Sequence, residues 1–285
     1  MIVDNNPNGT PAKPFYIVED ITPLELDAGC EVYYIYRGAA MRYLTIESDG
    51  VVVKYQGEEF SAENGKVVVE ITPALGEMSR FSIKNTTDAK LEISICMIAP
   101  KGAMENPIDL EGNSAQASVP VDGAVYYKYV ADKNGVLVVS SRNTLNNISL
   151  SNLNSYAVTS ATEGALCTYM YVSEGDEVLI EVSSTDEQNA TTIEFSVNCY
   201  AGTEADPVPV LGNELDLSIP ADAAIVFSAE AGKTVSFYNR SVTLTVGGED
   251  YSGSVEVVLA GNAATVLFTF TNNSDSPVHL MFEVE

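Results

Sequence analysis

Few residues in this chain could carry out bond-making chemistry. It holds one histidine, His279, four cysteines, fifteen tyrosines and forty acidic side chains. Nucleophilic catalysis of the Ser-His or Cys-His kind would have to use His279 as its base. That residue stands in Pro277-Val278-His279-Leu280, a strand-like context near the end of the chain, where a surface or sheet-edge imidazole is the simpler expectation. Cys30, Cys96, Cys167 and Cys199 form no C-x-x-C pair, and with a single histidine nothing has the spacing of metal ligands. Paired carboxylates could cut a glycosidic bond, but abundance alone does not set two of them across a cleft. No glycine-rich phosphate loop follows a strand and opens a helix. The residues therefore predict no enzyme, no cofactor and no metal.

The tyrosines are the remaining chemical signal. A sugar ring packs its apolar CH face on a flat aromatic, while its hydroxyls seek acids, amides and phenol groups. Strand alternation in Val125-Tyr126-Tyr127-Lys128-Tyr129 puts Tyr127 and Tyr129 on one face and Tyr126 with Lys128 on the other. Tyr34 and Tyr36 repeat that face, as do Tyr169 and Tyr171. The recurring tyrosines are expected to stack in a core, which leaves Tyr55, Tyr156, Tyr200 and Tyr251 as the candidates for carbohydrate contact.

The elements that must position these side chains recur three times. Gly9 with Pro14, Gly102 with Pro107 and Gly202 with Pro207 each open a similar stretch. About twenty residues after each proline comes a strand opening, Val32-Tyr33-Tyr34, Val125-Tyr126-Tyr127 and Ile225-Val226-Phe227. Each stretch closes with what reads as a hairpin, Phe81–Asn85 to Leu91–Ile95, Val178–Val182 to Ile193–Val197, and Val266–Thr271 to Val278–Val284. The spacing predicts modules at 1–101, 102–201 and 202–285, each large enough to bury its own core. Short β-branched runs such as Val51-Val52-Val53, Val67-Val68-Val69, Val136-Leu137-Val138-Val139 and Val242-Thr243-Leu244-Thr245-Val246 lie between Gly, Asn, Asp and Ser turn signals. Asn134-Gly135 suits a tight hairpin. The expected fold is all-β, three tandem β-sandwich domains of Ig-like or jelly-roll type.

The net charge is −26, and it divides into 9 − 15 = −6, 3 − 13 = −10 and 2 − 12 = −10 over the three modules. Every module is acidic, so Coulomb repulsion opposes nucleic acid and anionic lipid as partners. No apolar run approaches the roughly 18 to 20 residues that cross a bilayer, so no membrane insertion is expected. No signal peptide is legible at the start, as expected for a segment of a longer surface protein. The even division of cysteines would permit one bridge in each of the first two modules of an exported protein. However, Cys96 aligns with Asn198 and Cys199 with Met97, so thiols are expected rather than equivalent bridges.

Glu105-Asn106-Pro107-Ile108-Asp109-Leu110, the tyrosine strand at 125–129, Asn134-Gly135-Val136-Leu137-Val138 and Glu174-Gly175-Asp176-Glu177-Val178-Leu179-Ile180 together resemble the bacterial pre-peptidase C-terminal domain and related tandem surface modules. The third module shares Gly202-Thr203-Glu204-Ala205-Asp206-Pro207, and the first departs most. The resemblance implies β-sandwiches appended to secreted bacterial proteins, including polysaccharide-degrading and starch-adhering assemblies, and an extracellular or cell-surface setting. Its motifs are scaffold residues and carry no binding residue across. Two function classes follow: a non-catalytic segment that binds polysaccharide, or a passive stalk that docks other surface proteins. A binder should show exposed aromatics in one module beyond what packing needs.

Overall fold

A computed structural model describes residues 8–17, 21–38, 40–73, 78–121, 123–141, 148–152, 160–162, 165–184, 187–261 and 263–285, with 148–152, 160–162 and 165–166 as backbone only. Among them there is no helix. The chain divides into two compact units, Met1–Lys101 and Gly102–Glu285.

Among the described residues the first unit has nine strands: β1 (Phe15–Ile17), β2 (Ile21–Leu26), β3 (Glu31–Tyr36), β4 (Arg42–Ile46), β5 (Val51–Tyr55), β6 (Glu58–Ser61), β7 (Val67–Ile71), β8 (Ser79–Asn85) and β9 (Leu91–Ile98). They form two sheets, ordered β1-β3-β8-β5-β6 and β2-β9-β4-β7. Setting β1 aside, successive strands of β2 to β5 alternate between sheets, as do β7 to β9, and the first strand lies beside the last. That nesting of two Greek keys is a jelly roll, which settles the choice left open between sandwich types. Alternating residues of β5 and β7 face inward, Val51, Val53 and Tyr55 against Val67, Val69 and Ile71.

The second unit holds two sandwiches. The strands of its first are β10 (Ile108–Asp109), β11 (Ser114–Val119), β12 (Ala124–Val130), β13 (Gly135–Ser141), β14 (Ile148–Asn152), β15 (Ser160–Thr162), β16 (Ala165–Val172), β17 (Glu177–Ser184) and β18 (Thr191–Tyr200). Their sheets run β10-β12-β17-β14 and β11-β18-β13-β16-β15, the order of the first unit except that β15 pairs with β16. The second sandwich has β19 (Val208–Pro209), β20 (Glu214–Ile219), β21 (Ala224–Glu230), β22 (Thr234–Val246), β23 (Glu249–Val258), β24 (Thr265–Asn272) and β25 (Val278–Val284). Here β22 serves both layers: Val235–Phe237 pair with β25, Val242–Val246 pair with β24, and the register breaks between Asn239 and Thr243. Two strands of the earlier pattern are thus fused into one bent strand, and β23 follows it as a second.

The glycine-to-proline starts have a common geometry. Gly9, Gly102 and Gly202 all have positive φ, and their carbonyls accept the N–H groups of Tyr33, Tyr126 and Val226. A Cβ on Gly9 would lie 2.6 Å from both Phe15 and Val32, and one on Gly202 would lie 3.0 Å from Ile225. Glycine is therefore required for conformation and for space. The proline that follows leads into a short strand, β1, β10 or β19, lying parallel to β3, β12 or β21.

Three expectations are corrected. The closing strand pairs are not hairpins: β8 joins β3 and β5 while β9 joins β2 and β4, and β17 and β18 likewise lie in different sheets. Even β24 and β25, which share a sheet, are separated by β22. A jelly roll needs the chain to cross between layers there. Asn134-Gly135 is a crossover too, joining β12 to β13, and its glycine is demanded by the Tyr200 carbonyl oxygen, 2.1 Å from where a Cβ would stand. Finally, the boundary at residue 201 separates sheets, while one sheet of the middle sandwich adds its outer face to the core of the last. Val136, Val138, Cys167 and Tyr169 face away from their own sandwich and join a core with Leu215, Leu217, Phe227 and Phe282 of the next. Leu137 and Val139 of the same strand face inward. The continuous apolar run Val136–Val139 is thus a strand buried on both sides.

Candidate functional site

The outer face of the last sandwich carries the most exposed aromatic ring among the described residues. Tyr238 follows Phe237 on β22, so alternation sends Phe237 into the core and Tyr238 outward, where it is 71% exposed. Ser254 of β23 lies directly opposite it, and Met281 of β25, 49% exposed, lines the same depression of about 260 Å³. One register step away runs a row across four strands: Glu214 opposite Glu283, Glu283 opposite Ser236, and Ser236 opposite Glu256. Like charges directly across a sheet cost stability, so this row is held at a price in folding free energy. Its chemistry is acceptance of hydrogen bonds beside an apolar ring and a thioether.

His279 lies on the same face, exposed as expected, on β25 where that strand is laddered to β20. Its Nε2 is 3.0 Å from Oδ1 of Asp216, a carboxylate only 8% exposed on β20. Burial pushes the Asp216 carboxyl above its usual range, the His279 charge opposes that shift, and Glu214 adds to it. Ser218 is opposite His279 in the ladder. Among the described residues no hydrogen bond joins them. The three side chains are therefore not arranged as a working triad.

The first unit presents a different concavity on the sheet that contains β3, β8 and β5. A cleft of about 410 Å³ is lined by Pro11, Pro14, Tyr33, Lys54, Gln56 and Arg80, among others. Tyr33 is opposite Ser82, which is opposite Lys54, and Arg80 lies diagonally beyond. Glu31 accepts a hydrogen bond from Ser82 Oγ at 2.6 Å, and this contact first, with help from Tyr33, holds its carboxyl below the usual value. Nearby, the Arg37 guanidinium lies 4.0 Å over the ring of Tyr16. A wider groove of about 740 Å³ on the opposite sheet, lined by Pro23, Glu25, Thr45 and Cys96, has no aromatic ring in its walls.

The candidate tyrosines lie elsewhere. Tyr55 is 7% exposed, and its hydroxyl donates to the Thr72 carbonyl and accepts from Gln56 Nε2, so it is a core residue and not a contact residue. Its place was readable: alternation from Val51 and Val53 points it inward. Tyr200 and Tyr251 are half-buried against the shared core of the second unit, and Tyr251 donates to Glu249. Tyr156 lies outside the described residues. Tyr127, Tyr129 and Tyr34 are buried as alternation predicts, whereas Tyr169 and Tyr171 face the neighbouring sandwich. The four cysteines form no disulfide, and among the described residues no cluster of acidic, Cys and His side chains could hold a metal ion.

The strand order defines an all-β protein of the jelly-roll class. No protein-family model matches the sequence, and no curated protein matches it. Among solved structures, one chain comes from a study of the triple jelly roll fold and turret assembly in an archaeal virus, with 11% identity over 91% of this chain and 82% of that one at a TM-score of 0.19. A chain from the atomic structure of Sulfolobus Turreted Icosahedral Virus has 12% identity over 91% and 84%, again at 0.19. Scores this low carry no argument. Among the described residues no helix is long and apolar enough to cross a membrane.

Proposed function

We propose that this chain is a non-catalytic segment of an extracellular or cell-surface protein, related to pre-peptidase C-terminal modules, that binds neutral polysaccharide through the Tyr238 face. The observation that carries the reading is the exposed ring of Tyr238 beside Met281 and a row of three carboxylates. A pyranose stacks its CH face on the ring, and its hydroxyls donate to Glu283, Glu256 and Ser236. The three carboxylate acceptors favour an uncharged sugar over an acidic one. Affinity electrophoresis in starch, xylan and β-glucan gels tests it: a glycan that retards the wild type and not Tyr238→Ala supports the reading, and free migration in every gel overturns it.

The stalk reading is favoured by a separate observation. In the second unit the outer face of the β13–β16 sheet packs into the core of the last sandwich, so residues 102–285 form a stiff element rather than beads on a flexible string. Such an element suits a spacer, and it also suits a binder that must present its face at a distance.

A further inference from the structure

The cleft of the first unit differs from the Tyr238 face in the sign of its unused charge. The chain as a whole carries 14 basic against 40 acidic residues, and several of its lysines are paired with acids. Lys54 pairs with Glu59 at 3.0 Å, Lys128 with Asp109 at 3.2 Å, and Lys133 with Asp206 at 2.7 Å. Inside the cleft Glu31 is occupied by the hydroxyls of Ser82 and Tyr33. Arg80 projects from β8, exposed, and makes no ion pair among the described residues. It stands diagonally across the ladder from Tyr33, a separation of roughly 7–8 Å between backbones, which is about the breadth of one sugar ring.

We infer that this cleft binds a uronic-acid-containing glycan, with the sugar ring on Tyr33 and its carboxylate held by the Arg80 guanidinium. A planar guanidinium meets a carboxylate through two parallel N–H donors, a match that an ammonium does not reproduce. Lys54 and Gln56 offer donors to neighbouring hydroxyls, and Pro11 and Pro14 form an apolar rim. The overall negative charge of the protein opposes a polyanion at long range. At about 0.15 M salt the Debye length is about 8 Å, so distant acids are screened while the contact at Arg80 persists. This site does not depend on the Tyr238 reading, because it uses other residues in another unit.

Isothermal titration of the full chain with trigalacturonate and with its methyl ester at 0.15 M salt tests the inference. Binding of the acid at least tenfold tighter than the ester is expected. Arg80→Gln should erase that preference, Arg80→Lys should restore only part of it, and Tyr33→Ala should weaken both ligands. Equal binding of acid and ester, an unchanged preference in Arg80→Gln, or no heat from the acid would each overturn it, while the gels with starch, xylan and β-glucan test the Tyr238 face separately. Unchanged melting temperatures for the Arg80 variants separate lost contact from lost fold.

Discussion

Asn85 and Asn272 occupy the same place in two different jelly rolls and make the same five hydrogen bonds. Asn85 Nδ2 donates to the carbonyls of Leu26, Asp27 and Ala89, and its Oδ1 accepts from the N–H and hydroxyl of Thr87. Asn272 Nδ2 donates to Ile219, Pro220 and Ser276, and its Oδ1 accepts from the N–H and hydroxyl of Ser274. Both are buried. Each ties the crossing from the next-to-last strand to the last onto the turn after the second strand, and so fixes the point where the chain changes layers. In the sandwich between them the corresponding position is Ser184, whose N–H donates to Gly123 as those of Asn85 and Asn272 donate to Cys30 and Ala223.

Asn272→Ala should therefore destabilise the second unit by about 3 kcal/mol, because one buried and two part-buried carbonyls lose their donor at once. Asn272→Asp should cost more, since it sets a carboxylate against those oxygens. Urea melts of the two variants check the order. Although Asn85-Thr86-Thr87 and Asn272-Asn273-Ser274 read as glycosylation acceptors, their buried amides should remain unmodified in a secreting host, which mass spectrometry would show.

Tyr169 locks the two sandwiches of the second unit together, donating to the Pro209 carbonyl at 3.2 Å and accepting from the Leu211 N–H at 2.9 Å. Because its ring also lies in the shared core, residues 102–285 should melt in one calorimetric transition. Tyr169→Phe should lower that transition by about 1–2 kcal/mol of stability, and Tyr169→Ala should split it in two.

Two aspartates of this unit should respond to pH with opposite sign. Asp206 is held below its usual range by the Lys133 ammonium and the Ala201 N–H. Its contribution is present above the unfolded value of about 3.9 and is lost as the pH falls through the folded one. Asp216 is raised by burial, so its contribution is present below about 3.9 and lost as the pH rises through the folded value. Melting curves between pH 3 and 7 should show Asp206→Asn losing stability only toward pH 7, and Asp216→Asn gaining relative to wild type over the same rise.

Tyr127 and Tyr238 separate packing from binding. Tyr127 is 4% exposed and meets Phe195 edge-on with ring centroids 5.0 Å apart. Tyr127→Ala should cost about 3–5 kcal/mol of stability. Tyr238→Ala should leave the melting temperature unchanged and reduce glycan affinity by about 1–3 kcal/mol, or roughly 5- to 150-fold. Loss of stability in the second variant would show that Tyr238 serves the fold.

Local sequence determined the strands, their inward faces and the module starts, because these depend on near neighbours. Alternation alone places Tyr127, Tyr129 and Tyr34 inside, and Gly9, Gly102 and Gly202 mark turns whose positive φ favours glycine. The run Val136-Leu137-Val138-Val139 carried a further signal, since a strand apolar at every position must be covered on both sides. What covers it was decided by tertiary structure, as a strand's second face can be met by any apolar surface. Layer crossings were hidden for a similar reason: turn residues specify that the chain reverses, while the sheet that accepts the next strand is chosen by long-range pairing such as β9 with β2. The Tyr238 face arose the same way. Its carboxylates come from β20, β23 and β25, and only the register of those strands aligns Glu214, Glu283 and Glu256 beside one ring.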